Sequence, residues 1–175
     1  MKFLLLVLTV LAPAQAATLE RMSLDEVIDK STAIVRGRVA GSYVAQHGQV
    51  LYTHYTIAVS DRMKGSAASH ADVVVAGGTL GKTTQTFPGS PILTAGQEYV
   101  FCLWTSKGGL THVMGLTQGL FNVSTDVVSG EVTISRGQSE SVMLDGATRR
   151  PVMDRPVRMK LREFSVRVSS AAKKD

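Results

Sequence analysis

Between Thr32 and Ile134 the chain breaks into short segments whose apolar residues recur at every second position, each segment closed by glycine, proline, serine or aspartate. In TAIVRGRVAG, Val35, Gly37 and Val39 alternate with Arg36 and Arg38, the period expected of a strand with one buried and one wet face. Gly37 falls on the inward side, where a missing side chain lets a sheet bend or another backbone approach. After a loop around Gly48, Leu51, Tyr55, Ile57 and Val59 share one face of a second strand; Tyr52, His54, Thr56 and Ala58 share the other, and Asp61 to Gly65 reads as its closing turn. Further strands are expected at Asp72–Val75, Glu98–Trp104, Leu110–Met114, Leu120–Val123 and Glu131–Ile134. Short, evenly spaced strands favour an antiparallel sandwich or barrel over alternating strand and helix. No repeat or low-complexity linker interrupts them, so one domain is expected over residues 17–175.

Helical spacing occurs at the two ends. Ser23-Leu24-Asp25-Glu26 has the form of a capping box, and Leu24, Val27 and Ile28 give the stripe of a short helix running to about Lys30. Met22 and Val27 stand at the positions of a hydrophobic staple. Near the other end Val157, Leu161, Phe164 and Val168 fall on one helical face, with Glu163 and Arg167 spaced for an i, i+4 pair. Phe164, Val166 and Val168 also alternate as a strand would, but the longer stripe favours a helix docked on the barrel, with Arg155, Arg158 and Arg162 in solvent.

The opening MKFLLLVLTVLAPAQA has one lysine, an apolar stretch and the small-x-small pattern Ala14-Gln15-Ala16. That is the form of a signal peptide over residues 1–16. Cleavage after Ala16 would leave 159 residues, enough for a real core, in the periplasm or the medium. The apolar stretch is short for a membrane span, which takes roughly 20 residues, and no later segment approaches that length. No cysteine follows the cleavage point to carry a lipid. Cys102, the single cysteine, has no internal partner and reads as a small buried hydrophobe within EYVFCLW.

Residues 17–145 carry nine Lys and Arg against eleven Asp and Glu, a balance of −2, whereas residues 146–175 carry nine against three, a balance of +6. Basic character therefore belongs to the tail, which suits an acidic partner, an anionic envelope polymer or water rather than nucleic acid.

The segment VVVAGGTLGKTT raises a nucleotide-binding loop. The frame Ala76-Gly77-Gly78-Thr79-Leu80-Gly81-Lys82-Thr83 lacks the first glycine of that motif, and the β-branched, twice proline-broken run after it cannot form the helix that would hold phosphate. A strand end, a glycine turn and an extended segment crossing a barrel mouth fit better. His47, His54, His70 and His112 show no zinc-binding spacing. His54 and His112 both fall on strands and could meet across a sheet, but separate, solvent-facing histidines are the simpler expectation. No Gly-x-Ser-x-Gly turn is present. Asn122-Val123-Ser124 matches a glycosylation acceptor. Tyr52 and Tyr55 lie on opposite faces of one strand, which argues against a continuous stacking platform. No cofactor or metal is expected.

The succession TAIVRGRV, Lys64-Gly65, Gly77-Gly78, PGSPILTAGQEYVFCLW, GLTQGLFNV and LREFSVRV resembles a group of exported bacterial proteins, over about Ser23 to Val168. That group is similar in layout to netrin-like domains and the tissue inhibitors of metalloproteases. The resemblance implies an OB-like antiparallel barrel with a short amino-terminal and a docked carboxy-terminal helix, and a secreted metalloprotease as one partner. Those inhibitors coordinate zinc through an amino-terminal cysteine, which this chain lacks, so no functional residue carries over.

The expected function is non-catalytic binding of a protein partner or envelope component through barrel-mouth residues Gly77, Gly78, Lys82 and Phe87. One alternative is a small hydrolase or metal-dependent enzyme using His54 and His112. Another is an adapter whose basic tail, Arg155, Arg158 and Arg162, anchors it to anionic polymer.

Overall fold

The computed structural model describes residues 18–66, 68–139 and 141–173; the leader assigned to residues 1–16 lies outside the described residues. In chain order the elements are β1 (Thr18–Glu20), α1 (Leu24–Lys30), β2 (Ala33–His47), β3 (Val50–Lys64), β4 (His70–Ala76), β5 (Gly78–Leu80), β6 (Thr83–Gln85), β7 (Glu98–Thr105), β8 (Thr111–Val113), β9 (Leu120–Thr125), β10 (Val132–Arg136), β11 (Val142–Leu144), β12 (Pro151–Val152), β13 (Val157–Lys160) and α2 (Leu161–Ala171). The protein is mostly β, with one large sheet in the order β13-β10-β9-β7-β2-β3-β4-β8. Strand β8 pairs with β7 and also, in parallel at Val74↔His112, with β4, so the pairings through β7, β2, β3, β4 and β8 return to β7.

The long β2–β3 hairpin organises the sheet. Both strands run for 15 residues, further than their alternation suggests, and the stretch Asp61 to Lys64 is strand rather than turn. Register shifts at Ile34/Val35, Arg36/Gly37 and Val39/Gly41 explain the difference. Each bulge adds a residue on one strand and bends it, so pairing continues where the period of two is lost. At the second shift a Cβ on Gly37 would lie 2.6 Å from Ile57 Cγ2 and 2.7 Å from Ala58 O, so only glycine permits that approach.

Two clusters of apolar side chains occupy opposite faces of the sheet. One gathers Val35, Val39, Ile57, Val73, Phe101 and Val113. The other joins Ile34, Val100, Cys102, Phe121 and Ile134 to Val27 and Ile28 of α1 and to Phe164 and Val168 of α2. Both helices thus cover the same part of one face, over β7, β9 and β10. Burial pushes the Cys102 thiol up to about 12, leaving it unreactive and apolar in behaviour.

Ser23 closes α1 by a complete capping box: its hydroxyl accepts from the Glu26 amide at 3.2 Å, and its own amide donates to Glu26 Oε2 at 2.7 Å. At the other end of α1, Lys64 Nζ donates to the carbonyls of Ile28 and Asp29 at 2.8 and 2.9 Å, satisfying acceptors that a helix leaves open. Replacing Ser23 by alanine is expected to lower stability by about 1 kcal/mol, measurable as a fall in the urea midpoint at unchanged slope.

The carboxy-terminal stripe divides. Val157 to Lys160 form an edge strand paired with β10, and the helix begins only at Leu161. Val157 and Met159 point to the helix-covered core from the strand, as Phe164 and Val168 do from the helix. Two periods are therefore spliced at Lys160, which a single helical reading joins into one. Arg167 pairs with Asp25 of α1 at 3.5 Å instead of with Glu163. Among the described residues no helix is long and apolar enough to cross a membrane.

Candidate functional site

The glycine-rich segment builds a groove. Strands β5 and β6 form a small hairpin turning at Gly81, whose φ of +60° suits glycine, and Lys82 is exposed at that turn. No helix follows, so the phosphate-binding reading has no structural counterpart. Gly77 and Gly78 have φ of +109° and +144°. A Cβ on Gly78 would fall 2.8 Å from Thr53 Oγ1 and 2.9 Å from Val44, so the hairpin lies close on β2 and β3 only because of the glycine. Gln85 pins it there, accepting from the Leu51 amide at 2.8 Å and donating to the Gln49 carbonyl at 2.9 Å.

Between this hairpin and the following loop lies a cleft of about 290 Å³, walled by Tyr55, Val75, Gly77, Gly78, Phe87 and Ile92. Phe87 and Ile92 are exposed apolar residues on its rim, and Leu80 is another on the hairpin. Of the four sequence candidates, the structure places Gly77, Gly78 and Phe87 on this cleft and Lys82 outside its lining.

Ser90 belongs also to the wall of a second cleft, of about 500 Å³, bounded by Pro88, Thr117, Asn122, Arg136 and Ser139. Beside it Arg136 Nη1 and Nη2 donate to the two oxygens of Asp154 at 2.7 and 3.2 Å, with both side chains buried. Asp154 also accepts from the Ser139 and Arg155 amides at 2.8 Å each. Burial works to raise the Asp154 pKa, but Arg136 and the amide donors outweigh it and hold the carboxyl below the usual range. Ser90 Oγ, Thr117 Oγ1 and Arg136 Nε are buried without a hydrogen-bond partner, an uncommon concentration around one cleft.

His70 stands apart and exposed beside Ser69, as expected, but His47, His54 and His112 belong to one row of rings. Cross-strand register sets Tyr43, His54, Val74, His112 and Trp104 side by side on one face of β2, β3, β4, β8 and β7. His54 is buried, contrary to the solvent-facing expectation, because Tyr43 stacks on it at 4.6 Å between centroids and His47 lies 5.4 Å away. Its Nδ1 meets Asp72 Oδ2 at 2.8 Å, and its Nε2 is buried without a partner. Trp104 stacks on His112 at 4.9 Å, and Tyr52 bridges between His47 and His112 at 5.9 and 6.0 Å. His54 and His112 thus flank Val74, each beneath a larger ring. Burial lowers the His112 pKa, leaving that imidazole neutral at pH 7.

No family model, curated protein or solved structure matches this chain. Its geometry therefore carries the functional reading.

A continuous aromatic surface does exist, although Tyr52 and Tyr55 lie on opposite faces as their parity requires. It is assembled from five strands, so no single segment shows it. The only local signal was the same-face pair Tyr52 and His54. Among the described residues no group of three or more His, Cys, Asp or Glu is placed to hold a metal ion. The three tail arginines are exposed, Arg155 before β13, Arg158 on it and Arg162 in α2.

Proposed function

We propose that this chain is a non-catalytic, exported binding module that takes an extended segment of a partner protein into the groove beside the β5–β6 hairpin. The reading rests on one observation: Phe87 and Ile92 present apolar surface on the rim of a cleft that meets, at Ser90, a larger cleft whose wall includes Asn122, Arg136, Gln138 and Ser139. Apolar anchors beside hydrogen-bonding groups suit a peptide, whose side chains and backbone need both. An OB-like barrel, similar in layout to netrin-like domains, is the proposed architecture. Its support is the circuit of pairings from β7 through β2, β3, β4 and β8, including the parallel β4–β8 contact. Export rests on the leader-like residues 1–16.

Capture from secreted and periplasmic fractions of the source organism tests the reading. Wild-type protein is expected to retain a partner that the Phe87→Ala, Ile92→Ala double variant binds at least about tenfold more weakly, as loss of an interface anchor implies. His54→Ala and His112→Ala are expected to leave capture unchanged. Equal capture by the double variant and the wild type would refute the groove as the site.

A further inference from the structure

We infer that the ring-lined face of β2, β3, β4, β8 and β7 is a second binding surface, for a neutral polysaccharide strand. This goes beyond the groove reading and uses different residues.

The helices divide the sheet's surface. Where α1 and α2 pack, the outward residues of β7, Val100 and Cys102, are buried beneath them. Two residues further on, Trp104 emerges 37% exposed, and the ring row begins. At its far end Tyr43 is 55% exposed. The exposed Trp104 and Tyr43 rings are each stacked on an imidazole, Trp104 on His112 and Tyr43 on His54. Stacking fixes their orientation before any ligand arrives, so little side-chain entropy remains to be lost on binding. Four interstrand steps lie between them around the circuit of pairings, a path of roughly 19 Å at about 4.8 Å per step.

The chemistry of the face selects the ligand. Sugar rings carry C–H faces with slight positive charge that sit against the negative face of an aromatic ring, while their hydroxyl edges need hydrogen-bond partners. Asp72, half-exposed beside His54, supplies acceptors, and the Tyr43 hydroxyl supplies both donor and acceptor. Single-stranded nucleic acid would also stack, but it requires cations along its backbone. At the register positions of this face, from Tyr43, Ala45 and His47 across to Trp104, there is no lysine or arginine. Among these positions the exposed charge is the carboxylate of Asp72; Arg38, further along β2 opposite Ala58, donates to the Gly96 carbonyl, and burial favours the neutral form of His112.

Trp104 is the only tryptophan in the chain, so its fluorescence reports this surface alone. Full-length protein is titrated at pH 7 with a soluble β-glucan, a mannan and N-acetylglucosamine oligomers, and with single-stranded DNA as control. At least one of the three glycans is expected to shift or quench Trp104 emission saturably. Calorimetry with that glycan is expected to show about tenfold weaker binding for Tyr43→Ala and for Trp104→Ala. Trp104→Phe, which keeps a ring, is expected to recover much of the loss, and Val128→Ala, an exposed change in the turn between β9 and β10, to bind as the wild type does. Both target rings are exposed, so thermal melting confirms that each variant folds. No response to any of the three glycans, or a response to DNA alone, overturns the inference. Unchanged affinity in the two alanine variants overturns it equally.

Discussion

Replacing Asp154 by alanine is expected to destabilise the protein by about 3–5 kcal/mol, the usual effect of leaving one charge of a buried pair without its partner. Arg136 would keep its charge in a buried position while losing both carboxylate oxygens, and the Ser139 and Arg155 amides would lose their acceptor. The effect has a definite pH dependence. The Asp154 pKa is depressed in the folded chain, so its contribution is present in full above the unfolded value, near 3.9. It is lost as pH falls through the folded value. Urea denaturation of wild type and Asp154→Asn should therefore give the widest gap in stability at neutral pH and a narrowing gap as the acid range is entered. A gap that stays constant down to pH 2 would remove the carboxylate's charge from the explanation. The same loss should loosen the larger cleft, since Arg136 and Ser139 form part of its wall.

Phe164→Ala should cost about 3–5 kcal/mol through the cavity left in the helix-covered core. Phe164 is fully buried, lies 5.6 Å from Phe121 between ring centroids, and shares its cluster with residues of α1, β7, β9 and β10. It is the main apolar attachment of α2 to the sheet together with Val168. Val166→Ala serves as the comparison, because Val166 is 60% exposed on the same helix and should change stability by less than about 0.5 kcal/mol. Similar midpoints for the two variants in denaturant would mean that α2 is not held by this face.

Much of the β architecture was visible in the alternation itself. The strands expected at Asp72–Val75, Glu98–Trp104 and Leu120–Val123 all lie inside observed strands, because each is straight enough to keep its parity. The capping box at Ser23 was equally plain, since its bonds join residues only three apart. The pattern misleads where geometry changes within a segment. Bulges in β2 and β3 lengthened a hairpin whose pattern had stopped alternating, and the junction at Lys160 put a strand and a helix under one apolar stripe. Strand β1 is paired by β11, more than a hundred residues away, and nothing local announces that partnership.

Alternation and capping are local properties, so the amino-acid order by itself determined where most strands lie, which of their residues face inward, and how α1 starts. It also set the burial of Cys102 and denied the glycine-rich segment its phosphate-binding helix. Which segments became neighbours was decided in three dimensions: the groove beside Phe87, the buried pairing of Arg136 with Asp154, and the row of rings from Tyr43 to Trp104. The reason is that each of these depends on register between strands distant in sequence, and register is settled only when the whole sheet chooses which face to bury.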